Sequence, residues 1–238
     1  MNTNRKIAIT VGVLYIIGTL AGVASWIVTG SILEGQDYLN KVAANETQFI
    51  VGAILVLLMG LSLALVPVVL FPILKKLNEV VAIGYVVFRG ALETFATIAS
   101  VIAWLLLIIL SKEYVKAGAP DIAYFKTSGT VILEGTDSIS AILAIVFSLG
   151  ALMLYYVLYQ SKLIPRWISI WGFLAAVLYL GAGIYNLFGP ELTIGMLPML
   201  PQEMVMAVWL IVKGFNPSAI ASEPAISNPK EVQMSAFR

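Results

Sequence analysis

Apolar residues fall along this chain in six long runs separated by short polar stretches. The runs cover about residues 7–28, 48–74, 80–110, 134–159, 167–188 and 196–214. A helix of about 20 predominantly apolar residues spans a hydrocarbon core of about 30 Å. Within lipid such a helix satisfies its own backbone. The pattern therefore predicts an all-α polytopic bundle of six transmembrane helices. Residues 1–215 form one membrane domain, and residues 216–238, polar and holding Pro217, Pro224 and Pro229, are expected to be a flexible tail.

The runs differ in detail. The first follows Arg5 and Lys6 and exceeds the 7–15 residues of a secretory signal core, so it reads as an uncleaved first helix. Gly18 and Gly22 within it make a GxxxG motif, which suits close packing on a neighbouring helix or a homo-oligomer contact. Pro67 and Pro72 interrupt the end of the second run. Val80 to Leu110 would span roughly 46 Å as one helix, which calls for a strong tilt or an interfacial start. Thr29 to Thr47 and Ser111 to Leu133 read as polar loops, the second broken by Pro120. Trp167 and Trp171 resemble an interfacial aromatic belt.

Orientation follows from the cations. Arg5, Lys6, Lys75, Lys76, Lys162, Arg166 and Lys213 fall at one end, and Lys41, Lys112, Lys116 and Lys126 at the other. The positive-inside bias puts both termini in the cytoplasm of a multi-pass protein of the cell membrane. The two halves show no internal repeat, so an inverted-repeat transporter gains no support.

Composition sharpens this. The chain has 238 residues, 60% hydrophobic and 11% charged, with a mean hydropathy of +0.96. Soluble domains carry about 25% charged residues. A net charge of +1 argues against a nucleic-acid partner. The absence of Cys and His removes disulfides, thiol nucleophiles, His-ligated haem and the histidine proton relay, and no cofactor is expected. The lipid bilayer is the one partner the composition names.

Against so apolar a background the polar residues stand out. Arg89 and Glu93 lie four apart within the third run and share a helix face, which Thr97 and Ser100 continue. Ionisable groups at such depth are costly unless paired or set in a wet cavity, and they mark candidate sites. Glu203 at the start of the sixth run, Glu134 and Asp137 opening the fourth, and Asn186 ending the fifth could face Arg89 across the bundle. Excess carboxylates there would favour a cationic or protonatable ligand. The bland alternatives are a structural ion pair, or Arg89 snorkelling to the interface. Lys213 beside Gly214 reads as snorkelling, and Arg166 as a topology anchor or a lipid-headgroup contact.

Three runs carry a family resemblance: Gly84-Tyr-Val-Val-Phe-Arg89 with Glu93; Tyr155-Tyr-Val-Leu-Tyr-Gln-Ser-Lys-Leu-Ile-Pro-Arg-Trp-Ile-Ser-Ile-Trp-Gly172; and Pro201-Gln-Glu-Met-Val-Met-Ala-Val-Trp-Leu-Ile-Val-Lys-Gly-Phe215. With them the chain resembles the bacterial integral membrane proteins grouped as DUF4386, whose function is unknown. The resemblance implies a membrane location and a helical architecture, and it supplies no activity. It also implies a His-Asp pair opening the fourth span. Here Thr136-Asp137 stands at that place, so an imidazole-dependent role does not carry over.

Two functional classes remain. In one, a polar site around Arg89 and Glu93 binds or transports a small molecule, ion or lipid. In the other, the charges fix helix packing in a structural, sensory or interaction module. An enzyme has less support: two carboxylates could do acid–base work, but no Ser–Lys pair, thiol or metal set accompanies them.

Overall fold

A computed structural model describes residues 2–117, 121–189 and 192–221. Its helices are α1 (Thr3–Leu33), α2 (Tyr38–Ala44), α3 (Glu46–Leu77), α4 (Glu79–Tyr85), α5 (Glu93–Lys116), α6 (Ile122–Ser161), α7 (Arg166–Asn186), α8 (Met199–Val212) and α9 (Pro217–Ala221). A π-helical segment, Val86–Leu92, joins α4 to α5, and a 3₁₀ turn, Thr193–Gly195, precedes α8. There is no strand among the described residues. Six helices are long and apolar enough to cross a membrane: Thr3–Leu33, Glu46–Leu77, Glu79–Lys116, Ile122–Ser161, Arg166–Asn186 and Thr193–Val212.

The six spans stand in a ring in chain order. α1 packs on α3, α3 on α4 and α5, α5 on α6, α6 on α7, and α7 on α8, which closes on α1. Small residues bring the walls together. A Cβ on Gly18 would lie 2.7 Å from Leu63 Cγ, and one on Gly22 2.7 Å from Met59 Sδ. Both glycines of the GxxxG motif thus face side chains of α3 in the same chain, the close packing that small residues allow.

At one end of the ring, Arg5 donates through Nη1 to the Leu210 carbonyl (3.0 Å) and through Nη2 to those of Ile211 and Val212. These are the orphan acceptors of the α8 C-terminus, where a cation also meets the negative end of the helix dipole. Asn216 N donates to Leu163 O (2.9 Å) at the same end. The start of α1 and the end of α8 therefore meet there, at what we call the basic end.

Several boundaries differ from expectation. Pro67 and Pro72 lie inside α3, which continues to Leu77, since neighbouring helices compensate a proline's missing donor within a membrane. The supposed loop over 111–133 is largely helical: α5 runs to Lys116 and α6 starts at Ile122. At roughly 60 Å, α6 is about twice as long as a hydrocarbon core is thick. Polar residues that read as loop are helix projecting beyond the bilayer, held partly by exposed ion pairs of Lys112 with Glu46 (3.0 Å) and Lys116 with Glu113 (2.8 Å). The polar stretch over 29–47 folds into the end of α1 and into α2. Tyr38, Leu39 and Val42 of α2 are buried with Ile32, Phe49, Leu107 and Ile108 in a small second core. Within the expected tail, residues 217–221 form α9, and Ala219 is buried against the main core beside Phe215. The rest of that tail, 222–238, lies outside the described residues.

Candidate functional site

The axis of the ring is where the intramembrane charges meet. Arg89 sits about ten residues, roughly 15 Å of helix, inside Glu79 at the basic end. That is half the thickness of a hydrocarbon core of about 30 Å. The side chain is 2% exposed, so it does not snorkel. Its Nη1 donates to Glu93 Oε2 (3.0 Å) and its Nη2 to Glu203 Oε1 of α8 (3.0 Å). Phe147 of α6 lies under the guanidinium, 4.4 Å from ring centroid to Cζ, and Tyr15 of α1 lies 5.9 Å away on the same measure. Arg89 Nε is buried without a partner.

The local backbone explains the aim of Arg89. The segment Val86–Leu92 is wound as a π-helix, which locally resets the side-chain register that an unbroken α-helix would impose. Of its residues Arg89 is the buried one. Gly150 of α6 makes the close approach possible: a Cβ there would stand 3.2 Å from Arg89 N and 3.3 Å from Phe88 Cβ. π-helical turns inside α-helices are frequent at functional sites.

A shell of buried hydroxyls and an amide lies beside the ion triad. Tyr15 and Tyr85 of α4 share a hydrogen bond between hydroxyls (3.2 Å). Tyr155 of α6 donates to Gln202 Oε1 (2.5 Å), and Gln202 Nε2 donates to Ile168 O (3.1 Å). These side chains come from α1, α4, α6 and α8, so the ring closes around them.

Of the residues singled out in the sequence, the fold brings together Arg89, Glu93 and Glu203. Glu134 and Asp137 do not join them. Both are exposed, about 13 and 10 residues before Phe147 on α6 and so roughly 20 and 15 Å further along the axis. The extension of α6 past the bilayer carries them into the polar zone. Asn186 also stands apart: its Oδ1 accepts from Leu192 N (2.7 Å) and pins the connection between α7 and α8. Thr97 and Ser100 share the Arg89 face but return their hydroxyls to their own helix, at Glu93 O (2.9 Å) and Ala96 O (3.3 Å). The sequence reading missed Tyr15, Tyr85, Tyr155, Phe147 and Gln202. A usable signal was present for four of them, because a phenol or amide deep within an apolar span needs a partner.

No curated protein and no solved structure matches the chain. One family model does, over residues 10–214, and it takes in every residue of the triad and its shell. The chain belongs to DUF4386, a domain family of unknown function.

Proposed function

We propose that this multi-pass protein lies in the cell membrane with both termini in the cytoplasm, and that it binds and carries a small positively charged or protonatable ligand at the Arg89–Glu93–Glu203 centre. The observation behind this is charge balance. One guanidinium faces two carboxylates, so the fully ionised centre carries a formal net charge of 1 − 2 = −1. An uncompensated charge is expensive at that depth, and a proton or a monovalent cation removes it. The π-helical turn and the unpartnered Arg89 Nε support the reading, since both leave the centre locally adjustable.

A structural role is the second reading, favoured by the pairing of both terminal guanidinium nitrogens and by Phe147 under the plane. Thermal unfolding of detergent-solubilised protein against a panel of monovalent inorganic and organic cations, repeated across pH, separates the two. A ligand at one hundred times its Kd raises Tm by about 5–10 °C for a chain of this size. At least one cation, or a proton, should stabilise the wild type and lose that effect in Glu203→Gln. If every cation and every pH shifts wild type and Glu203→Gln alike, the structural reading stands instead.

A further inference from the structure

The basic end holds a second feature, independent of the axial centre. A cleft of about 460 Å³ opens between the turn joining α6 to α7 and the end of α8, lined by Lys162, Pro165, Arg166, Trp209, Lys213 and Asn216 among others. Three cations line it, and among the described residues no carboxylate pairs with them. Lys162 is fixed there by its left-handed backbone (φ 56°) and by Asn216, whose Nδ2 donates to the Lys162 carbonyl (3.3 Å).

An apolar groove of about 320 Å³ lies between α6 and α7, lined by Tyr156, Tyr159, Ser169, Ile170, Phe173 and Leu174 among others. Arg166 links it to the cleft, its Cζ 4.9 Å from the Tyr159 ring centroid. Arg166, Ile170, Phe173 and Leu174 follow helical spacing on one face of α7, charged at the membrane edge and apolar towards the middle. Ser169, fully buried, lines the groove with its Oγ lacking any partner. It lies roughly 4.5 Å deeper than Arg166 along the helix.

We propose that this cleft and groove bind one anionic phospholipid of the leaflet at the basic end. The phosphate sits among Lys162, Arg166 and Lys213. One acyl chain lies in the groove over Ile170, Phe173 and Leu174. Ser169 Oγ, one turn further in, donates to a glycerol ester oxygen. Charge complementarity selects an anionic headgroup, and continuity with a membrane-facing apolar groove selects a lipid over free phosphate.

The test is native mass spectrometry of the detergent-solubilised full chain titrated with phosphatidylglycerol, with phosphatidylcholine and with inorganic phosphate. Phosphatidylglycerol should add as a single tight adduct, well above phosphatidylcholine, and excess phosphate should not displace it. Each of Lys162→Gln, Arg166→Gln and Lys213→Gln should weaken it about fivefold, whereas Lys6→Gln with Lys76→Gln, at the same end but outside the cleft, should leave it unchanged. Ser169→Ala should weaken it by about threefold, for the loss of one hydrogen bond. Equal weakening by the cleft and control variants, equal retention of both lipids, displacement by phosphate, or a lipid-insensitive dimer covering this face would each overturn the assignment.

Discussion

Arg89 carries five N–H donors, and in hydrocarbon each one left empty costs free energy. Glu93 and Glu203 each take one donor from a terminal nitrogen. Breaking such a buried pair from one side costs about 3–5 kcal/mol, because a lone charge remains. Arg89→Leu should therefore lower Tm in detergent by about 6–20 °C. Adding Glu93→Gln should restore part of that loss, since it removes one of the orphaned carboxylates. Losses that simply add in the double variant would refute the coupling. The exposed pair Lys75–Glu79 (3.1 Å) sets the contrast. Surface pairs contribute about 0–1 kcal/mol, so Lys75→Gln should move Tm by no more than a few degrees.

Among the elements, the π-helical turn decides the site. A π turn inside an α-helix corresponds to one added residue, so the flanking α-helical segments keep their register around it. Deleting Ala91 should let Val86–Leu92 relax to α pitch while α4 and α5 hold their packing. Arg89 would then swing relative to Glu93. Deleting Ile102, within regular α5, instead turns everything before it by about 100° and misplaces the whole buried face. Circular dichroism and size exclusion in detergent check this. The Ala91 deletion should be recovered folded with a lowered Tm, and the Ile102 deletion should aggregate. Equal loss of both would show that the turn is not a one-residue insertion.

For the whole molecule, ring closure ties both described ends together. Arg5 of α1 holds the carbonyls of α8, and Phe215 and Ala219 pack under the same end. Seven cations lie at that end and four at the other, and the proposed orientation accordingly puts both termini in the cytoplasm. Cysteine-substitution labelling suits a chain without native Cys. A thiol placed at Asn2 and one at Ser218 should both resist a membrane-impermeant reagent in intact cells, whereas one at Lys126 should react. Labelling of either terminal position from outside would overturn the orientation.

The sequence by itself determined the class of this protein. Long apolar runs in lipid can only be helices, because no water is present to satisfy an open backbone, so six long apolar helices were legible. It also determined that Arg89 and Glu93 share a face and that Arg89 needs a second acceptor, since a guanidinium outnumbers one carboxylate in bonds. Tertiary structure decided which acceptor. Glu203, Glu134 and Asp137 are equally acidic in the sequence, but only the length of α6 and the closing of α8 on α1 bring one to the axis and leave two exposed. The π turn was likewise hidden, because a helix is written in local spacing while a one-residue rewinding is held by packing against Gly150 and Phe147 on another span. The helical extensions beyond the bilayer were misread for a related reason. Polarity reports contact with water, and in water a polar segment can be either loop or helix.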